Sequence, residues 1–335
     1  MSEPTVTATA PAAEPAVIEE PKPEAVTEAP ATVPATAEAA PKPDSTPAPV
    51  SESAVKEDEP QNPLTEKFTD EEWKALKEFR TLLPEIFAEA FHPDDKSAKS
   101  EPIQLWGVTI DPNAPNKDAR VSVILMKFLR ARSLNVKEAH TMLVGTLRWR
   151  EQFKFNELAK EEFPHDIFGK LGYISGKDKD GQPVVYNLYG SITDMKAVFG
   201  DVQRFIRWRV QFMEKSIELL DFVNIDQMVQ VHDYDGVSFL AGRDANQKAA
   251  AAEATNIFQN HYPEFLSRKF FINVPTVLSW IFWLFKPLLS AATLAKMSVV
   301  GHGKSTIKTA FLPVIDAEQI PKRYGGSAPD FEEKA

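Results

Sequence analysis

The sequence predicts an α/β protein, with a helical N-terminal lobe followed by a mostly parallel sheet with crossover helices. Two observations carry this. Residues 65 to 155 place apolar side chains at helical spacing behind helix-start signals. From about residue 160 to 330, short strand-like runs alternate with longer helical ones, the pattern of β-α-β units. A third observation sets the boundary: residues 1 to 60 hold twelve prolines, twelve acidic against three basic residues, and no aromatic residue. Such an acidic, Pro/Ala-rich tail cannot bury enough apolar surface to offset its ordering entropy, so disorder is expected there.

In chain order, "TDEEWKALKEFRTLLPEIFAEAF" opens with Thr69 as N-cap and Glu72 three residues on, a capping box. Trp73, Leu76, Phe79, Leu83 and Phe87 follow at helical spacing. "EPIQLWGVTIDPNAPNKD" reads as a loop or arm, and "VSVILMKFLRARSLNVKEAHTMLVGTLRWREQF" as two helices, the second opened by Asn135. "GYISGKDKDGQPVVYNLYG" reads as two strands about a turn at Asp180-Gly181. "DVQRFIRWRVQFMEKSIELLD" is a helix, "QMVQVHDYDGV" a strand, "DANQKAAAAEATNIFQNHYP" a helix and "KFFINVP" a buried strand. An apolar helix, the short strand "SVVG" and the closing turn "PKRYGG" complete the order.

Composition narrows the function. The whole chain carries −10 and the tail −9, so residues 61 to 335 are almost neutral and show no basic stripe for nucleic acid. There is no cysteine, so disulfides and zinc-thiolate sites are excluded and a cytosolic setting fits. The tail lacks the apolar core of a secretory signal. "VPTVLSWIFWLFKPLLSAATLAKM" is interrupted by Lys286 and Pro287 after about a dozen residues, short of the ~20 a spanning helix needs. A peripheral membrane protein is the expectation.

The strand "QMVQVHDYDGV" carries Met228, Gln230, His232 and Tyr234 on one face, because side chains two apart point the same way. An imidazole and a phenol therefore sit side by side. Buried among apolar groups they would be costly unless each finds a partner.

The ordered set "LMKFLRARSLNVKEAHTMLVGTLRWR", "DGQPVVY", "HDYDGVS", "NHYPEFLSRKFFINVP", "WLFKPLLSAATLAK" and "IPKRYGG" resembles the landmarks of the CRAL-TRIO (Sec-fourteen-like) lipid transfer proteins over residues 65 to 330. The resemblance implies a CRAL-TRIO fold around an apolar lipid pocket, with a lipid-binding domain over residues 160 to 330. It makes the apolar helix a gate, with Trp280, Ile281, Trp283, Leu284 and Phe285 facing lipid or membrane. Its implied ligand is phosphatidylinositol, exchanged between membranes by a monomer at the cytoplasmic side of the endoplasmic reticulum. The family's inositol-lipid residues fall here on Arg132, Glu264, Thr293 and Lys296. Lys296 and Thr293 suit phosphate oxygens, and Glu264 can accept from inositol hydroxyls, with Arg132 as a brace. Where choline-lipid members place small hydroxyl residues, this chain has Met228 and Gln230, so phosphatidylcholine transfer is not expected. Burying two acyl chains at ~0.8 kcal/mol per CH₂ would exceed any non-covalent affinity, so exchange with a bilayer is the expected mode.

"HDYDGVSF" also resembles a haem-binding fungal branch of this family. That resemblance implies haem b, with Tyr234 as iron ligand and His232 as its neighbour or second ligand; both residue types ligate haem iron. Tyr186, Arg207 and Arg268 are the implied supporting residues, drawn from "PVVYN", from Arg207 and Arg209 of one helix, and from Arg268 and Lys269 of "SRK". A satisfied structural His–Tyr pair, a haem enzyme or oxidative-stress sensor, and a carrier of a sterol or retinoid remain alternatives. "GHGKST" lacks the first glycine of a P-loop, with Ser298 in its place. No nucleophile-elbow signature is present, and no enzyme activity is expected.

Overall fold

The computed structural model describes residues 59–92, 94, 101–237, 245–274 and 294–331. The gate residues Trp280, Ile281, Trp283, Leu284 and Phe285, and Thr293, lie outside the described residues, as does almost all of the acidic tail.

Helix α1 (Asp70–Thr81) starts as its sequence predicts: Thr69 accepts from the Glu72 amide, and the Glu72 carboxylate accepts from the Thr69 amide. The expected run through Phe87 is broken at Leu82, where α2 (Leu83–Phe91) begins with Pro84 in its first turn. Proline fits there because a first-turn amide has no helical partner to lose. The segment expected to be a loop contains a hairpin instead, β1 (Ile103–Leu105) and β2 (Val108–Ile110). Trp106 and Gly107 form its two-residue turn, both at positive φ, 51° and 77°. The Asn-Gly or Asp-Gly pair that usually marks such a turn is absent, and Trp in the left-handed region is a poor sequence signal.

α3 (Ala119–Arg130) is buried along nearly its whole length. α4 (Val136–Phe153) is capped by Asn135, which accepts from the Glu138 amide at 3.1 Å. Short helices α5 (Phe155–Leu158) and α6 (His165–Phe168) lead to the sheet.

The sheet runs β3 (Gly172–Lys177), β4 (Pro183–Leu188), β5 (Met228–Asp233), β6 (Leu266–Ile272) and β7 (Met297–Val299) in spatial order. β3 is antiparallel to β4 through the predicted Gly181 turn, and the other pairs are parallel. α7 (Met195–Phe199) and α8 (Val202–Ile217) join β4 to β5, and α9 (Ala245–His261) joins β5 to β6. Right-handed crossovers that move one way along a sheet put their helices on one face. The packing agrees: Val185 and Met228 share a core with Val210 and Met213 of α8, Ala250 and Ile257 of α9, and the buried side chains of α1 to α4. Residues Ser53–Ala335, helical region and sheet together, form one compact unit.

The opposite face is a second core. Val184, Tyr186, Val229, Val231, Phe270 and Ile272 pack there against α10 (Lys304–Phe311) and the closing turn at Tyr324. Asp233, buried on this face, accepts from the Tyr324 hydroxyl at 2.7 Å and the Asn273 amide at 2.8 Å. Those two bonds fix the C-terminal end of β5. Among the described residues no helix is long and apolar enough to cross a membrane.

Candidate functional site

Strand alternation sends Met228, Gln230 and His232 to the α8/α9 face, in parallel register with β4 and β6. His232 stands beside Asn187 on one side and Phe271 on the other, and Gln230 stands beside Lys269. The chain leaves β4 through Tyr189-Gly190, and leaves β5 through Tyr234, Asp235 and Gly236. A β-carbon at Gly190 would fall 1.2 Å from the Asp235 carbonyl oxygen, so only glycine permits these two exits to touch. That approach brings Tyr189 and Tyr234 together, with ring centroids 5.3 Å apart. Tyr189 is 5.4 Å from the His232 ring, and Phe271 closes the group at 5.5 Å from His232 and 6.4 Å from Tyr234.

Within this four-ring cluster the Tyr189 hydroxyl lies 3.1 Å from His232 Nδ1. The other imidazole nitrogen, Nε2, is buried and has no hydrogen-bond partner among the described residues. Two cations look onto the same face. Arg209 of α8 is 6% exposed, lies over the rings of Phe212 and Phe258, and has one terminal guanidinium nitrogen without a partner. Lys269 holds its ammonium 5.2 Å from the Phe271 centroid. Neither has an ion-pair partner among the described residues. Burial, then the Lys269 and Arg209 charges, keeps the His232 imidazole neutral, its pKa well below the ordinary value. Burial raises both tyrosine pKa values. Lys269 is pushed down to about 8 by burial and by Arg209.

Three of the residues expected here are elsewhere. Tyr186 is on the other face of β4, stacked on Tyr324 at 5.7 Å, because it is odd by one position with respect to Asn187 and His232. Arg207 points outward, bonding Glu161 at 2.6 Å and the Phe153 carbonyl at 3.1 Å. Arg268 is exposed and donates to the Ala295 carbonyl at 3.3 Å. In each case a close neighbour takes the place: Tyr189, Arg209 and Lys269. Arg209 and Lys269 are the other members of the two cation pairs read from the sequence, and the buried stripe of α8, where Phe205, Arg209 and Met213 lie one turn apart, separates Arg209 from Arg207.

A second cluster lies at the opposite end of the strands. The Glu264 carboxylate accepts from Lys296 at 2.9 Å, both side chains partly exposed. Arg132 does not join them. It lines a separate hollow of about 370 Å³ with Asn260 and His261, and bonds its neighbour's carbonyl at Ala131.

Among the described residues no three His, Asp or Glu side chains gather as a metal-binding group. The cluster at His232 instead offers one imidazole nitrogen, two phenols and two cations on a ring-lined face. By residue type, a phenol and an imidazole are groups that can ligate haem iron, and the two cations are groups that can pair with carboxylates.

The architecture is a five-strand, mostly parallel sheet behind a helical leader, with its crossover helices packed on one face. The CRAL/TRIO domain matches residues 167–326, and the CRAL/TRIO N-terminal domain matches residues 75–145. The chain belongs to the CRAL-TRIO family. It is 37% identical over 271 residues to a phosphatidylinositol transfer protein, SFH5, of Cryptococcus neoformans, covering 75% of this chain and 86% of that one. It is likewise 37% identical over 275 residues to the phosphatidylinositol transfer protein sfh5 of Aspergillus oryzae, covering 78% of this chain but only 57% of the relative's length. A crystal structure of Sfh5 superposes with a TM-score of 0.59 at 30% identity, covering 70% of this chain and 81% of that chain.

Proposed function

We propose that this protein binds phosphatidylinositol and exchanges it between membrane surfaces, the endoplasmic reticulum among them, without matching phosphatidylcholine transfer. The observation that carries the reading is the Glu264–Lys296 pair, 2.9 Å apart and partly exposed, on a fold shared with proteins named for this activity. Opening the pair frees an acceptor for inositol hydroxyls and a cation for the phosphate. Met228 and Gln230 occupy the sheet face where a choline-binding member would need hydroxyls, and the Gln230 amide instead approaches the sulfurs of Met213 and Met228, both at 3.9 Å. No step in this reading makes or breaks a covalent bond. The test is transfer between vesicles of labelled phosphatidylinositol and, separately, phosphatidylcholine. Transfer of the first alone, reduced about tenfold or more by Lys296→Ala, supports the reading. Equal transfer of both, or indifference to Lys296→Ala, contradicts it.

A second reading is favoured by His232 Nε2, Arg209 and Lys269, which lack a hydrogen-bond or ion-pair partner among the described residues. In it the same face binds haem, with Tyr234 as iron ligand and His232 as neighbour or second ligand. Bound haem would supply redox-active iron. Tyr189 orients the His232 ring through Nδ1, and Arg209 and Lys269 receive the carboxylates. Acyl chains laid over Arg209 and Lys269 would leave both cations uncompensated, so in this reading haem and lipid are alternative occupants of the face.

A further inference from the structure

We infer that Lys127 is a positioning residue for the headgroup site, acting through the backbone of Glu264; this rests on the phosphatidylinositol reading above. Lys127 lies on α3, is 1% exposed, and touches no predicted ligand. Its ammonium donates to Asp226 Oδ2 at 2.8 Å, the Asp226 carbonyl at 2.6 Å and the Glu264 carbonyl at 3.0 Å. A lysine has three protons, so these acceptors use its whole capacity. Its Nζ also lies 4.5 Å from the Phe265 centroid.

Glu264 needs such a hold. Its φ is +53°, in the left-handed region that costs a residue with a β-carbon ~1–2 kcal/mol. Glycine would adopt that backbone freely but could not supply a carboxylate. The Glu264 carbonyl receives two donors, Lys127 and the Gln227 amide at 3.1 Å. Fixing that carbonyl fixes the turn after α9, and with it the direction of the carboxylate that meets Lys296. Burial lowers the Lys127 pKa and the ion pair to Asp226 opposes that shift, while it anchors the segment entering β5 at the same point. A cation placed only to steady the core would not need to converge on the one strained residue that carries the acceptor. Lys127 therefore joins the helical leader to headgroup selection with no contact to the lipid.

The test uses the full chain and vesicles carrying labelled phosphatidylinositol or phosphatidic acid, which has the phosphate but no inositol hydroxyls. Lys127→Met leaves the half-buried Asp226 charge without its partner, so Lys127→Met combined with Asp226→Asn serves as the second variant, leaving no lone ion. Either variant is expected to lower preference for phosphatidylinositol over phosphatidic acid about tenfold, ~1.4 kcal/mol, with phosphatidic acid binding retained. In a Glu264→Gln background the same change should add little, because both act through one carboxylate. Equal loss for both lipids, full additivity with Glu264→Gln, or unchanged preference overturns the positioning role. A parent protein that binds no phosphatidylinositol overturns the headgroup reading itself.

Discussion

The hydroxyl of Tyr189 lies 3.1 Å from Nδ1 of His232, and the residue that achieves this follows β4 instead of lying within it. One imidazole nitrogen is thereby occupied and the other is left facing the site without a partner. Tyr189→Phe removes one hydrogen bond and keeps the ring packing. It should cost ~1 kcal/mol of stability and shift, without abolishing, any haem absorption band. Thermal denaturation and the visible spectrum of the same sample check both parts.

Arg209 is a buried cation with one terminal nitrogen unpaired. Replacing it with Met gives up the guanidinium's placement over Phe212 and Phe258 and removes the desolvated charge, which is the larger effect. The ligand-free protein should become more stable by ~1–3 kcal/mol, while affinity for a carboxylate-bearing ligand such as haemin falls about tenfold. Denaturant melts and haemin titration measure the two opposite signs. A variant less stable without ligand would show that Arg209 is compensated in the fold.

Lys269 has a folded pKa of about 8, below its ordinary 10.5. Folding therefore disfavours its charged form, and the unfolded chain holds more protons between those two values. The sign follows: this group makes the ligand-free protein more stable as pH rises from about 8 towards 10.5. Binding of an anionic ligand favours protonated Lys269, so haemin affinity should be level below about pH 8 and fall above it. Titrations at several pH values, compared with Lys269→Gln, test this; a drop that persists in the variant belongs to another group.

Tyr186 offers the control for the sheet's two faces. Its hydroxyl is buried without a partner, against Tyr324 and Phe331. Tyr186→Phe removes that unsatisfied hydroxyl, so stability should hold or rise slightly, within ~1 kcal/mol, and haemin spectra should not change. An altered spectrum would place the ligand on the α10 face.

Much of the fold was legible because local chemistry and burial agree. Thr69 and Asn135 cap the helices that their spacing predicts, and Met228 to Asp233 alternate between two faces as period two predicts, each face meeting its own core. The hairpin at Trp106 was not legible, since its turn uses a left-handed tryptophan. Within the site, His232 and Tyr234 could be put on one face from period alone, whereas Tyr186 could not be assigned without the register of β4 against β5. A single position decides which side of a sheet a residue serves. Arg207 and Arg209 differ by two positions, about 200° round a helix, and only the buried stripe separates them. Lys127 was hidden for another reason: its partners are 99 and 137 residues away in the chain.

The most direct test of the ligand face is the visible absorption spectrum of the protein produced with adequate iron or reconstituted with haemin, set beside that of Tyr234→Phe. If haem occupies this face, a haem band is present in the parent and is lost or displaced in the variant. A colourless parent, or a band that Tyr234→Phe leaves unchanged, would contradict it and leave the His232 cluster as the polar lining of a lipid carrier.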